Sequence, residues 1–123
     1  MIGVQSEAAP AAYRAWRERG QVSDETHTFA EGLQTRVSFD LPQRILGEHL
    51  DDFVLVSDDE IRAATLNMIE LTRTLVEPAG AASLAAVLKL RERLAGKRVA
   101  IICSGGNISP TQLRELLDQG SVE

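Results

Sequence analysis

Lysine is almost missing from this chain of 123 residues. Only Lys89 and Lys97 are present, and neither sits in a setting that suits a Schiff-base lysine. Cysteine is rarer still: Cys103 stands alone, which excludes an internal disulfide and fits a reducing, cytoplasmic compartment. Basic residues are scattered and the formal net charge is −5, which argues against a nucleic-acid surface. No apolar run approaches the ~20 residues of a membrane span. No charged head followed by an apolar segment precedes a cleavage site, so no export signal is read. His27 and His49 have no Cys, His or acid at ligand spacing, and both read as surface or loop histidines rather than metal ligands. Repeats and proline- or glycine-rich linkers are absent too.

What is present reads as one compact α/β domain over residues 1–118, followed by a flexible tail, residues 119–123. The hydrophobic fraction of 44% is ordinary for a globular protein and sufficient for a core. The most informative stretch is Val99-Ala100-Ile101-Ile102-Cys103-Ser104-Gly105-Gly106-Asn107. An apolar β-branched run feeds a glycine turn, and a helix starts at Ser109-Pro110. Open α/β sheets hold ligands at such carboxyl ends of strands.

Strands and helices alternate along the chain. Residues 1–5 and 53–56 read as strands, and 99–102 as a third. Residues 8–19 read as a helix with Ala9, Tyr13 and Trp16 on one face and Gly20 as its stop. Residues 21–36 lack periodicity and read as a loop. Asp40 and Pro42 open a short helix carrying Ile45 and Leu46. Ser57 and Glu60 form a capping box, and Asp58 and Asp59 suit the positive end of the helix dipole. Ile61, Ala64, Met68, Leu71 and Leu75 then make an apolar stripe that reads as core packing. Pro78 fits a first helical position for an alanine-rich buried helix from 79 to 94, stopped by Gly96. Ser109, Pro110 and Gln112 start the last helix, whose buried face is Leu113, Leu116 and Leu117. This order implies a three-layer helix-sheet-helix fold with a mainly parallel sheet.

Five motifs occur in an order that carries a resemblance: Ile2-Gly3-Val4-Gln5, Thr28-Phe29-Ala30-Glu31-Gly32-Leu33, the strand and helix from 52 to 61, Val76-Glu77-Pro78-Ala79-Gly80-Ala81, and Cys103-Ser104-Gly105-Gly106-Asn107. Together they resemble the C-terminal part of threonine dehydratases (threonine ammonia-lyases) and their serine dehydratase and serine racemase relatives. These are tryptophan-synthase-β-like pyridoxal-phosphate enzymes. The resemblance implies a role in amino-acid metabolism such as isoleucine biosynthesis, and it covers the chain from Met1 to about Leu117. It also implies a deficit, because the family's lysine segment, asparagine loop and glycine-rich phosphate cradle have no counterpart here.

The cofactor-binding residues that the resemblance implies are Ser104, Cys103, Gly105, Glu77 and Gly32. A Ser or Cys at the end of the last strand faces the pyridine nitrogen in the family. Ser104 is favoured by one register and Cys103 by the other. As ordinary structure, Cys103 is a small buried apolar residue and Ser104 a turn hydroxyl bonding its own backbone. Glu77 lies near the cofactor ring, or simply at a helix N-terminus. Gly32 is the glycine whose backbone passes over the cofactor face, or an ordinary loop glycine. No catalytic residue and no metal ligand is assigned. The cation site of some relatives falls on Gln5, Ala9 and Ala11, which supply no acid, and Glu7 reaches it only with a register shift.

The functional expectation is therefore a C-terminal fragment or subunit of a threonine/serine dehydratase, inactive alone. Its cofactor is pyridoxal phosphate and its substrate a hydroxy amino acid. Its partner is a complementary N-terminal dehydratase chain, or a second copy through self-association; neither nucleic acid nor membrane is a partner. The alternative is a non-catalytic, truncated relative acting as a binding or oligomerisation module. No amino-acid-sensing regulatory extension follows the match.

Overall fold

The computed structural model describes residues 1–119; the tail expected from 119 onward lies, apart from Gln119, outside the described residues. The elements run β1 Ile2–Ser6, α1 Ala11–Glu18, a single 3-10 turn Glu31–Leu33, α2 Asp40–His49, β2 Asp52–Val56, α3 Asp58–Thr72, α4 Pro78–Lys89, α5 Arg91–Leu94 and α6 Pro110–Gln119. Two compact units divide the chain, Met1–Asp58 and Asp59–Glu123. The fold is α/β, and its strands β1 and β2 pair in parallel, from Ile2 opposite Asp52 to Ser6 opposite Val56.

In the first unit the sheet carries α1 against it. Phe53 is buried on β2, and the rings of Tyr13 and Trp16 meet it edge-on at centroid distances of 5.7 and 6.0 Å. Such contacts between ring edge and ring face favour this arrangement over a stacked one. Helix α1 starts three residues later than its periodicity suggests. Ser6 Oγ accepts from Ala8 N–H and Ser6 O accepts from Ala9 N–H, so a turn occupies the stretch before Pro10. Gln5 Oε1 accepts from Tyr13 N–H at 3.0 Å and satisfies a first-turn donor of α1. The stop is Arg19 rather than Gly20. Arg19 takes the left-handed conformation at φ 56 and lays its guanidinium over the Trp16 ring, 5.6 Å from the centroid. Residues 21–36 are more than a loop, because Ser23 bridges antiparallel to Val37, with Asp24 N–H donating to Arg36 O and Ser38 N–H to Val22 O.

In the second unit α3 buries Ile61, Ala64, Thr65 and Met68. Leu71 and Leu75 lie outside that stripe: Leu71 is exposed in the last turn of α3, and Leu75 is exposed beyond Arg73, which ends the helix at φ 59. Helix α4 begins at Pro78, as expected, and buries Gly80, Ala81, Ala82, Ala85 and Ala86. The single helix expected from 79 to 94 is broken at Leu90, beyond which Arg91–Leu94 forms a separate short turn. Burial along α4 ends at Ala86, and the charged residues Arg91, Glu92 and Arg93 that follow lie exposed. Gly96 closes this region at φ +71, a conformation that favours glycine. Helix α6 opens with the expected reciprocal cap. Gln112 N–H donates to Ser109 Oγ and Ser109 N–H donates to Gln112 Oε1, at 3.2 and 2.9 Å. Leu116 is buried there, whereas Leu117 is exposed.

The third strand is the main correction. Residues 99–102 form no ladder with any described residue, and Val99, Ile101 and Ile102 are exposed, Ile102 at 80%. A β-branched run encodes a need for burial but cannot supply the neighbouring strand that a ladder requires. No helix among the described residues is long and apolar enough to cross a membrane.

Candidate functional site

The glycine turn after Ile102 closes onto the start of α4 within the second unit. Glu77 N–H donates to Gly105 O at 3.1 Å, tying the turn to the residue before the helix. Three glycines make the approach possible. A Cβ on Gly80 would lie 2.8 Å from Gly105 O and 2.9 Å from Val76 Cγ2, and one on Gly106 would lie 2.8 Å from Leu75 O. Two backbones this close exclude side chains between them. A Cβ on Gly105 would strike the Glu77 carboxylate, so Glu77 and Gly105 are direct neighbours. Glu77 is extended (φ −77, ψ 158) and only half-buried, with its own side chain making no cap to the helix it precedes. Glu77 thus stands at the N-cap of α4, where its helix-terminus reading places it, although its carboxylate makes no capping hydrogen bond.

Cys103 and Ser104 sit at the mouth of this clasp. Both are exposed, and among the described residues neither side chain has a hydrogen-bond partner. The expected ordinary roles fail for both. The cysteine is not a buried apolar filler, and the serine hydroxyl does not bond its own backbone. Ser83 Oγ instead donates to Ile102 O at 2.9 Å, holding the chain just before the turn on α4.

Gly32 belongs to the first unit, in the 3-10 turn Glu31–Leu33, and is exposed. The stretch before it is fastened through Asp58, Thr28 and Ser6, which come from separate parts of the first unit. Asp58 Oδ1 accepts from Thr28 Oγ1 at 2.6 Å and from Ser6 Oγ at 3.1 Å, and Asp58 Oδ2 accepts from Phe29 N–H at 3.1 Å. Ser6 and Thr28 are almost fully buried. The readable signal was a polar residue ending an apolar strand and a threonine opening the Thr28-to-Leu33 motif. Their convergence on Asp58 is long-range and carries no local signature.

The two lysines lie elsewhere. Lys89 Nζ is paired with Glu60 Oε2 at 3.0 Å. From Gly80 to Lys89 the helix rises about 13 Å, which carries its Cα well away from the turn. Lys97 follows Gly96 on an exposed stretch. His27 is exposed, and its Nε2 lies 3.0 Å from Glu25 Oε2, so an acid does accompany it, contrary to the expectation of a lone ring. A surface depression of about 550 Å³ lined by Trp16, Arg19, Gln43 and Arg44 in the first unit contains none of the candidate residues.

Similarity to known proteins is extensive. Residues 1–105 match the family described as pyridoxal-phosphate dependent enzymes. An L-threonine ammonia-lyase from Thermotoga maritima is 33% identical over 124 residues, covering all of this chain and 31% of that protein. A serine racemase from Schizosaccharomyces pombe is 33% identical over 120 residues, covering 97% of this chain and 37% of that one. Among solved structures, a threonine deaminase from T.th. superposes with a TM-score of 0.82 at 34% identity, over 88% of this chain and 37% of that one. The chain thus spans about a third of the length of these relatives.

Proposed function

This chain belongs to the pyridoxal-phosphate dependent enzyme family, and we propose that it forms one wall of the cofactor site in a threonine/serine ammonia-lyase. The observation that carries this is the exposed, unengaged Ser104 hydroxyl at the mouth of a glycine turn clasped to Glu77 and Gly80. That donor set fits the nitrogen edge of a pyridine ring, which needs one small polar group and little steric bulk around it. Pyridoxal phosphate, when bound, supplies the electron sink through which a hydroxy amino acid loses its α-proton and β-hydroxyl to give a 2-oxo acid and ammonia.

Ser104 would meet the ring nitrogen through Oγ, and as a neutral hydroxyl it would not force full protonation of the ring. Cys103 is the alternative in the other register. Gly105 lets the turn pass Glu77 without a side chain between them, and the Glu77 carboxylate fixes the polarity beside the ring. Gly32 offers backbone with no Cβ to a flat face. The lysine that anchors the cofactor and the phosphate cradle come from residues beyond these 123, on a complementary N-terminal dehydratase part. The chain is accordingly inactive alone, and its bare apolar residues, among them Ile102, favour association with that part or with a second copy.

The test is to supply purified chain with pyridoxal phosphate and L-threonine or L-serine, with and without a polypeptide carrying the lysine segment, and to assay the 2-oxo acid. Product is expected only from the mixture. Turnover by the chain alone, or none from a mixture that forms a stable complex, overturns the proposal. Within the active mixture, Ser104→Ala is expected to lower kcat by about a hundredfold, the scale of removing one preorganised polar partner. Cys103→Ala is expected to be near neutral; the opposite ranking assigns the ring nitrogen to Cys103.

A further inference from the structure

We propose that Asp58 is a positioning residue that locks the segment carrying Gly32. The proposal rests on the reading that Gly32 faces the cofactor. Asp58 lies at the start of α3, where its place in the first turn would account for a carboxylate without further purpose. Its contacts go well beyond that. Both carboxylate oxygens are used, and the donors come from two distant segments: Ser6 at the end of β1, and Thr28 with the Phe29 amide in the loop.

The polarity of this cluster is fixed. Ser6 Oγ already accepts from Ala8 N–H, and Thr28 Oγ1 already accepts from Ala30 N–H, both at 3.1 Å. Each hydroxyl therefore spends a lone pair on a backbone amide and turns its hydrogen to Asp58. A carboxylate, which only accepts, is the one group that satisfies all three donors. The lock then propagates along the loop. Gln34 Nε2 donates to Thr28 O at 2.7 Å, Leu33 N–H to Ala30 O at 2.8 Å, and Gln34 N–H to Glu31 O at 3.1 Å, so Gly32 sits between fastened ends. Gly32 has no side chain with which to hold its own position. A loop that presents backbone to a ligand needs its placement supplied from elsewhere, and Asp58 supplies it through Thr28 and Phe29.

Hydrogen exchange on the full chain tests this. In Thr28→Val the side-chain volume is kept and only the hydroxyl is lost. The amides of Phe29, Ala30, Leu33 and Gln34 are expected to exchange about tenfold faster or more, because hydrogen bonds to a charged partner are among the stronger ones. Amides of β1 and β2 are expected to be unchanged. Thr28→Ser restores the hydroxyl and is expected to restore protection, which a purely packing role for the methyl would not do. Asp58→Asn is expected to match Thr28→Val, since an amide turns a donor toward donors; if it fails to fold, the Thr28 pair decides. Unchanged exchange in Thr28→Val, equal exchange in the Val and Ser variants, or a uniform rise across the first unit overturns the lock. Protection of the Gly32 amide by pyridoxal 5′-phosphate, measured in the complemented mixture, separates the two claims. If the lock holds but that amide is unaffected, Asp58 orders a loop that does not face the cofactor, and the functional half of the proposal fails.

Discussion

Gly80→Ala is expected to lower stability by about 1–3 kcal/mol, the usual cost of forcing a methyl into a packed interior. The direction is contrary to helix propensity, since Gly80 lies within α4 and alanine is favoured in helices by up to ~1 kcal/mol over glycine. Packing wins because the obstacles are rigid. The new methyl would meet the carbonyl oxygen of Gly105 at 2.8 Å and its nitrogen at 3.2 Å, with Val76 Cγ2 on the other side. Backbone cannot rotate away as a side chain can. The turn from 103 to 106 must therefore lift off the helix, breaking the bond from Glu77 N–H to Gly105 O. Gly105→Ala is the informative contrast, because its obstacle is the mobile end of Glu77 and its stability cost is expected to be small. Urea unfolding together with exchange of the Glu77 amide reads both effects. A Gly80→Ala midpoint at or above wild type, or equal losses in the two variants, contradicts the account.

The larger stability loss is expected at Phe53. Truncation to alanine in a packed core costs about 3–5 kcal/mol for phenylalanine, through lost burial and the cavity left behind. Phe53 is 8% exposed and is contacted edge-on by Tyr13 and Trp16 from α1. β1 also runs beside it: a Cβ on Gly3 would come within 3.1 Å of the Phe53 ring. One side chain thus joins both strands to the helix, and its removal loosens all three. Phe53→Leu keeps most of the volume and is expected to cost far less. Trp16 is the sole tryptophan, so its fluorescence during chemical unfolding follows this cluster directly. A loss below about 1 kcal/mol for Phe53→Ala, against the range expected for such truncations, would show that the cluster is not the core of the first unit.

Legibility in the sequence followed the range of the interaction concerned. The cap of α6 was readable because Ser109 and Gln112 are three positions apart and satisfy each other. Pro78 marked the start of α4 for an equally local reason, its missing N–H and fixed φ. β1 and β2 were readable from their apolar runs, though not their register. The third strand was misread because a run from Val99 to Ile102 states only a preference, whereas a ladder needs a partner that no described residue provides. The break at Leu90 was missed because leucine continued the apolar count while Arg91, Glu92 and Arg93 removed the surface to pack on. At the candidate site, the resemblance placed Glu77 near the cofactor ring without pairing it with Gly105; their approach is long-range in sequence and carries no local signature. Asp58 had an adequate local explanation as a helix-dipole residue, and that explanation hid its bonds to Ser6 and Thr28.

The bare run that precedes Cys103 has a practical consequence for handling this polypeptide. Exposed apolar residues that join no ladder among the described residues will pair edge to edge with whichever extended segment arrives first. At high concentration that segment is another molecule of the same kind, and the resulting pairs grow towards precipitate rather than a closed assembly. Order of addition then governs yield: dilute chain folded in the presence of its complement should stay in solution, while the same protein concentrated beforehand should be refractory to rescue.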